Sequence, residues 1–479
     1  MSKTFYVTTS IPYVNGEPHV GHAMEFIEAD VLARYHRQLG EDTMFTTGTD
    51  EHGGKVMEKA KEAGVEPKEF TDQLSAQFKK LCDDLNVKYD KFIRTTDEQH
   101  EKIALLIWQK LEPYIYENMY VGMYDQKEET FLSAEEAKEI EKTDTVRYAT
   151  LQKLEEQNYF FKLSEFNEPI KKAIEDEDFK IIPKTRRNEI LSLLDHGLED
   201  ISISRPKEKI PWGIPVPNDE NQTMYVWFEA LMNYITVLGY PDGVDMKKYW
   251  PADVQVVGKD ISRFHAAIWP AMLLALELPL PKVLFVHGFI TMNGQTMSKS
   301  IGNVVAPSEI INIYGSDAMR YYLLRHIPSY RDGDFSWDKF ENAYNNELGN
   351  DLGNLVQRLA SMIIKYQGGV IGDIKGDEHD EGSYHEALEE MHFDKALEFV
   401  WQQIHSLNQY IDTQKPWQLA KGHDPEHLRS VLAYTVSGLL QVSRLLEPFL
   451  PISAQAIRTI FEQGAVKGFK GVLFPRIDK

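Results

Sequence analysis

Two histidines stand three residues apart in the run His19-Val20-Gly21-His22 near the start of the chain. The run follows an apolar segment, 5–9, and a turn-forming stretch around Asn15-Gly16, and it opens a helical pattern over 20–39. Both imidazoles should therefore lie at a helix N-terminus, where unpaired N–H groups and the helix dipole favour phosphate. Gly21 would let a flat base approach the backbone. Taken alone, the run fits a turn with two incidental histidines equally well.

A second run with chemical potential is Thr296-Met297-Ser298-Lys299-Ser300, which follows the apolar segment 283–286 and an Asn293-Gly294 turn. This order predicts a loop at the carboxyl end of a strand, the edge at which parallel sheets bind ligands. The ammonium group of Lys299 could there meet charge on a phosphate. An exposed polar loop is the commoner structure for such a run alone, but the two runs together indicate nucleotide chemistry.

The elements that must position both runs alternate between strand and helix. Short apolar segments at 5–9, 43–47, 254–257 and 283–286 predict strands, and a helical pattern fills 261–276. Such alternation is typical of a parallel sheet. The predicted fold class is α/β, with a split Rossmann-like sheet.

Two other parts of the chain differ in character. Charged helical patterns and short strand-like pieces over 121–222 predict a connective domain inserted into the sheet, and the apolar faces in 348–364, 393–411 and 428–449 predict an all-α helix bundle. The predicted domains are 1–120 (first half of the sheet), 121–222 (insertion), 223–335 (second half) and 336–479 (bundle).

Composition limits the classes of function. The formal net charge of −22 argues against nucleic-acid binding through overall basicity, although a local basic groove remains compatible with it. Cys82 is the single cysteine, so neither an internal disulfide nor a thiolate zinc cluster is expected, and we predict a reducing, cytoplasmic location. The sequence shows neither a leader pattern nor an apolar run long enough for a bilayer, so we expect no membrane association.

The paired runs resemble the two signatures of the class I aminoacyl-tRNA synthetases, whose split nucleotide-binding fold carries an inserted domain. Three further runs resemble the methionine-specific members of that family, and the resemblance extends from about Thr4 to Arg476. These runs are 11–16 (IPYVNG), 225–234 (YVWFEALMNY) and 258–261 (GKDI) with Phe264-His265 and Trp269-Pro270.

The resemblance implies a methionine pocket. Asp50 would pair with the substrate ammonium group, aided by the carbonyl of Ile11, and Tyr234 and His265 would lie near the sulfur. Aromatic rings suit this long, polarisable side chain. From spacing alone, a core stripe would explain the aromatic face, and Asp50 could simply cap the following helix. The implied methionine-binding residues are Ile11, Tyr13, Asp50, Trp227, Ala230, Leu231, Tyr234, Ile261 and His265.

The resemblance also implies ATP, with Mg²⁺, as second substrate. The methionine carboxylate would attack the α-phosphorus, while His19, His22 and Lys299 stabilise charge on the phosphates. The terminal adenosine of tRNA(Met) would then take the methionyl group through its 2′-hydroxyl. The implied ATP-binding residues are Gly21, Glu25, Gly258, Asp260, Ser298 and Lys299.

The bundle would read the anticodon through Asn354, Arg358 and Trp417, which match the family's anticodon positions. Unpaired RNA bases stack on aromatic rings and bond polar side chains, although a buried tryptophan and a surface i,i+4 pair are ordinary features of bundles. The chain departs from many relatives in having Thr296 in place of lysine. Because 143–157 contains neither cysteine nor histidine, no structural zinc is expected. A monomer is expected.

Three other functions are compatible with parts of this pattern. Another class I synthetase for an apolar amino acid would need an editing domain, for which the insertion of about a hundred residues is small. A non-catalytic tRNA-binding paralogue would be expected to have lost some of His19, His22, Asp50 and Lys299. A small-molecule adenylyltransferase that shares the histidine run would leave the helix bundle unexplained.

Overall fold

The computed structural model describes residues 3–126, 129–132, 134–297, 302–372, 380–422, 424–466 and 472–477. Ser298, Lys299 and the side chain of Thr296, which belong to the predicted phosphate loop, lie outside the described residues. None of the helices within the described ranges is both long and apolar enough to cross a bilayer.

The strands fall mainly in the first two thirds of the chain. They are β1 (Thr4–Thr9), β2 (Asp42–Thr49), β3 (Lys91–Arg94), β4 (Ile115–Asp125), β5 (Thr130–Leu132), β6 (Gln152–Phe161), β7 (Lys180–Ile182), β8 (Ile201–Ser202), β9 (Ser204–Pro206), β10 (Pro215–Val216), β11 (Asp219–Met224), β12 (Val254–Gly258), β13 (Val283–His287), β14 (Ile290–Met292), β15 (Gln295–Thr296) and β16 (Gly333–Phe335).

Helices connect these strands and then make up the C-terminal part. They are α1 (Val20–Gln38), α2 (Gly54–Ala63), α3 (Pro67–Asp84), α4 (Glu98–Leu111), α5 (Ala134–Thr143), α6 (Thr145–Tyr148), α7 (Asn167–Glu175), α8 (Lys184–His196), α9 (Val226–Ala230), α10 (Asn233–Thr236), α11 (Val244–Tyr249), α12 (Trp269–Ala275), α13 (Pro307–Tyr314), α14 (Ser316–Arg325), α15 (Trp337–Ala343), α16 (Asn354–Gln367), α17 (Gly382–Glu389), α18 (Phe393–Gln414), α19 (Pro416–Leu419), α20 (Pro425–Leu446) and α21 (Pro451–Phe461).

Among the described residues, the main sheet has six strands in the order β3-β2-β1-β12-β13-β7. β1 pairs in parallel with both β2 and β12, and β13 pairs in parallel with β7. β1 is buried along nearly its whole length, as its apolar sequence predicts. The structure confirms the predicted parallel-sheet core and the helical C-terminal region.

The stretch predicted as an insertion contains a separate antiparallel sheet in the order β5-β4-β6-β8. β4 and β6 pair from Ile115 with Phe161 to Tyr124 with Gln152. β7, however, joins the edge of the main parallel sheet, although the sequence analysis had assigned 121–222 wholly to the insertion. The predicted domain boundaries stay predictions.

The described residues form two compact units. The first comprises Met1–Glu17, Glu41–Lys80 and Tyr89–Val286, and the second comprises Pro18–Gly40, Leu81–Lys88 and His287–Lys479. The core of the first unit is rich in aromatic rings, among them Trp108, Phe161 and Trp269.

In the second unit, α1 is buried over most of its surface and carries three buried carboxylates, Glu25, Glu28 and Asp30. Asp30 forms an ion pair at 2.7 Å with the fully buried guanidinium of Arg320 on α14. Arg320 also donates hydrogen bonds to the carbonyls of Leu85, Pro448 and Phe449. A buried charge needs this degree of pairing, because desolvation otherwise outweighs the attraction of one partner.

No structural zinc should be found when the purified chain is analysed for metals. Within the described ranges, no group of three or more His, Cys, Asp or Glu side chains is arranged to hold an ion. Cys82, on α3, is buried, and burial raises the pKa of its thiol, which opposes thiolate ligation. Elemental analysis, with a melt in the presence of a chelator, tests this prediction. One zinc per chain with a chelator-dependent melting temperature would contradict it.

Candidate active site

The histidine pair caps the N-terminus of α1 through a reciprocal set of hydrogen bonds. His19 Nδ1 accepts the backbone N–H of Gly21 at 3.1 Å, and His22 Nδ1 accepts the backbone N–H of His19 at 3.2 Å. Because each Nδ1 is an acceptor here, each neutral ring must carry its proton on Nε2. The rings stack with centroids 3.9 Å apart. The cap therefore presents two Nε2–H donors at a helix terminus that favours anions.

Gly21 is required by the ring of His19. A Cβ at this position would lie 2.9 Å from Cε1 and 3.0 Å from Nδ1 of His19. A larger residue would displace the capping imidazole, so packing within the cap explains this glycine without a ligand. Its predicted contact with ATP stays a prediction.

Electrostatics keep His22 neutral. Burial first, and then electrostatic interaction with His19 and His287, lowers the pKa of His22 well below its ordinary value. His287, at the end of β13, lies within the same unit, and its Nε2 is 3.0 Å from Oε2 of Glu25. Burial opposes the charged form of His287, but the Glu25 contact and the charge of Glu28 raise its pKa to about 9. Glu25, a predicted ATP residue, is thus oriented by a histidine that the sequence analysis did not identify.

Asp50, in the first unit, is a buried carboxylate at the end of β2. Its backbone N–H donates to the carbonyl of Pro12, and its carbonyl accepts the N–H of Val14. Burial first, and then the negative charge of Glu229, raise the pKa of Asp50 well above its ordinary value. Asp50 does not cap α2, because Glu129 accepts the N–H groups of Gly54 and Lys55. The helix-cap alternative is therefore wrong.

A buried ionic group in this unit was missed by the sequence analysis. Glu229, on α9, contacts a histidine with each of its carboxylate oxygens. Its Oε1 lies 2.9 Å from His52 Nδ1, and its Oε2 lies 2.9 Å from His100 Nε2. Burial alone would raise the pKa of Glu229, but the two histidines lower it. Burial opposes the charged form of His52, but Glu229, Glu101 and Asp50 together raise its pKa to about 10. The position of His52, two residues after Asp50, was the one available signal.

The predicted sulfur contacts, Tyr234 and His265, lie side by side. His265 Nδ1 is 2.9 Å from the carbonyl of Ile261, which can only accept, so Nδ1 carries the proton. The Tyr234 hydroxyl, 2.7 Å from His265 Nε2, therefore donates to it. Trp227 stacks on Phe264 with centroids 4.2 Å apart. Since their polar atoms bond each other, Tyr234 and His265 offer a thioether polarisable contact and not a hydrogen-bond donor.

The remaining predicted residues of the first unit differ in burial and in the elements that carry them. Ile11, Tyr13 and Ile261 are half-buried, whereas Ala230 and Leu231 are buried. The predicted aromatic face is carried by two short helices, α9 and α10, joined by a turn. Gly258 ends β12, and Asp260 is exposed in the 3₁₀ turn Lys259–Ile261.

The predicted anticodon residues occupy neighbouring elements of the bundle. Asn354 begins α16 and is exposed, and Arg358, one turn later, donates to Asp412 on α18 at 2.7 Å. Trp417 is half-buried on α19, just after Lys415, whose φ is 49°. The left-handed residue ends α18 and turns the chain into α19. A partly exposed tryptophan is available for stacking.

Known proteins match nearly the whole chain. The family described as tRNA synthetases class I (M) matches residues 5–143 and 137–360. The methionine–tRNA ligases of Brucella melitensis and Thermotoga maritima are 41% and 40% identical, over 97% and 96% of this chain and 92% and 76% of their own lengths. The structure of Mycobacterium tuberculosis methionyl-tRNA synthetase in complex with methionyl-adenylate is 35% identical, with a TM-score of 0.92, and covers 99% of this chain and 100% of that one.

These matches assign the fold to class I of the tRNA synthetases. Within that class, the chain belongs to the methionyl-tRNA synthetase family.

Proposed function

We propose that the chain activates L-methionine with ATP and transfers the methionyl group to the 3′ adenosine of tRNA(Met). The observation that carries this function is 40–42% identity, across at least 94% of the chain, to proteins named methionine–tRNA ligase. One solved relative was crystallised with methionyl-adenylate, the product of the first step.

In this proposal Asp50 binds the substrate ammonium group, with help from the carbonyl of Ile11. The raised pKa of Asp50 supports the assignment, because it shows a buried carboxylate in negative surroundings that a cation would stabilise. The ionic group of Glu229, His52 and His100 holds in place the backbone next to Asp50, on this side of the proposed methionine pocket. The methionine side chain then extends to Tyr234 and His265, lined by Tyr13, Trp227, Ala230, Leu231 and Ile261.

In this proposal the phosphates of ATP are bound by the Nε2–H donors of His19 and His22 and by the ammonium group of Lys299. They stabilise charge on the phosphates as the methionine carboxylate attacks the α-phosphorus in line and pyrophosphate leaves from the opposite side. A single preorganised donor is worth about 2.7–4 kcal/mol. Mg²⁺ enters as the ATP complex, held by phosphate oxygens. Glu25, Gly258, Asp260 and Ser298 hold the nucleotide.

Amino-acid-dependent ATP–pyrophosphate exchange tests this function directly. Exchange should be supported by methionine in preference to every other standard amino acid. Preference for leucine or cysteine would favour another class I synthetase. Absence of exchange, with intact tRNA binding, would favour a non-catalytic paralogue.

Trp417→Ala should separate the two steps of the reaction. Loss of one stacked base costs about 1–3 kcal/mol, so tRNA charging should fall while methionine-dependent exchange stays intact. Charging and exchange on one preparation, with a thermal melt, measure this. Trp401→Phe serves as the packing control, since Trp401 is a buried tryptophan on α18. If Trp417→Ala lowers exchange and melting temperature together, Trp417 is a packing residue and its anticodon role must be withdrawn.

A further inference from the structure

A cavity of about 500 Å³ lies within the second unit and is lined mainly by basic side chains. We name it the basic pocket. The end of α1 contributes three of its lining residues, the segment after α3 one, and the α20–α21 region two. They are Arg34, Arg37, Gln38, Lys88, Glu447 and Arg458.

The arginines of the basic pocket are held in place by their partners. Arg34 Nε donates to Asp30 at 2.7 Å, and Arg34 also bonds the carbonyl of Asn86. Arg37 donates to the carbonyl of Lys88 at 3.0 Å, and Arg458 forms an ion pair with Glu447. These bonds fix the guanidinium groups around the cavity. Ordered cations of this kind lose little entropy when a ligand binds.

Lys88 differs from the arginines because its side chain is exposed. No carboxylate of the described residues pairs with its ammonium group. The lining therefore carries four basic side chains and one carboxylate, Glu447, and the basic side chains still outnumber the carboxylates when Asp30, the partner of Arg34, is counted, in a chain whose formal net charge is −22. The carboxyl end of α1 opposes an anion, but a helix end carries only about half a charge. The cations outweigh it.

The size and donor types indicate which anion fits. The cavity is larger than one simple ion needs, and three of its cations are guanidinium groups, which bind planar or tetrahedral oxyanions through paired N–H donors. We propose that the basic pocket binds phosphate-type anions, supplied either by the backbone of a bound RNA or by a free polyphosphate. The RNA source rests on the proposed function. The site itself does not, because none of its residues belongs to the catalytic or anticodon sets.

Chemical labelling of Lys88 on the unmodified full chain tests the proposal. Acetylation by an amine-reactive ester, read by mass spectrometry, should slow severalfold at Lys88 when tRNA or inorganic tripolyphosphate is added. Lys172, whose side chain is 76% exposed and paired with Asp176, is the control and should not change. Protection by tRNA alone assigns the pocket to RNA backbone, and protection by tripolyphosphate assigns it to a free anion. No protection by either probe overturns the proposal.

Arg37→Gln provides the second measurement. It removes one cation of the basic pocket without touching Asp30, so protection of Lys88 should disappear while methionine-dependent exchange is kept. Arg186→Gln, which removes an arginine paired with Glu189 on α8, should leave protection unchanged. Protection that survives Arg37→Gln overturns the proposal. If exchange occurs with methionine but Lys88 is never protected, this inference fails while the proposed function stands.

Discussion

Asp50→Asn should lower kcat/KM for methionine in the exchange reaction by at least about 10²-fold, because losing one partner of a buried ion pair costs roughly 3–5 kcal/mol. The same substitution should not destabilise the fold. The pKa of Asp50 is higher in the folded protein than in the unfolded chain. Ionisation of this carboxyl therefore lowers the free energy of unfolding once the pH rises above the pKa that Asp50 has in the unfolded chain. A neutral amide avoids that cost, and the melting temperature at neutral pH should hold or rise.

The control for Asp50 is Asp195→Asn, an exposed aspartate paired with Lys171. Exposed pairs of this kind contribute little, so activity and melting temperature should both stay near those of the unmodified chain. Exchange kinetics and thermal melts of the three proteins decide the matter. If Asp50→Asn loses activity and melting temperature together, Asp50 supports the fold and does not bind the substrate ammonium group.

His22→Asn should lower the rate of exchange by about 10²–10³-fold with little change in methionine binding, because it removes one donor to the phosphates. The Asn carboxamide oxygen stands near the position of Nδ1, so it can still accept the N–H of His19 and keep the cap of α1. His22→Gln is the matched variant, since its amide nitrogen stands near Nε2. It should retain more activity than His22→Asn. Equal loss in both variants would mean that the Nε2 donor does not matter.

The pH profile offers an independent test of His22. Burial first, and then electrostatic interaction with His19 and His287, lowers the pKa of His22, so its neutral form persists below the ordinary titration range of histidine. At saturating methionine, the exchange rate should therefore fall only at pH values below about 6.5. The part of this fall in rate at low pH that comes from protonation of His22 should be absent from the pH profile of His22→Gln. A fall in rate centred above the ordinary histidine range would contradict the neutral-donor role.

The sequence predicted the central sheet well because its strands are buried on both faces. The apolar segments 5–9, 43–47, 254–257 and 283–286 lie within β1, β2, β12 and β13. β3 and β7, at the two edges of the sheet, escaped prediction because four and three residues are too few to show periodicity.

The prediction of a helix over 261–276 was right about helical structure, but the segment is not one continuous α-helix. The structure has a 3₁₀ turn at Lys259–Ile261, a π-helix at Phe264–Ile268 and then α12. A π-turn changes the hydrogen-bond register without changing the apolar composition, and Pro270 at the start of α12 lacks the N–H that a continuous α-helix would use.

The candidate site was predictable only where its residues form local runs. Glu229 meets His52 and His100 across 177 and 129 positions of sequence, and His287 meets Glu25 across 262. No periodicity links such distant residues, and a buried histidine or glutamate has no distinctive neighbours. Tautomers of His19, His22 and His265 likewise depend on hydrogen bonds that only the folded backbone provides.

The buried guanidinium of Arg320 also has a consequence for synthesis on the ribosome. Arg320 binds the carbonyl of Leu85 across 235 positions of sequence, and its partner Asp30 is made earlier still. At about 5–20 residues per second, Leu85 precedes Arg320 by roughly 10 to 50 s. During that interval Asp30 can pair with Arg34 but not with Arg320, and α1 lacks the C-terminal helices that cover it. Its apolar faces therefore stay available to chaperones on the nascent chain until late in translation.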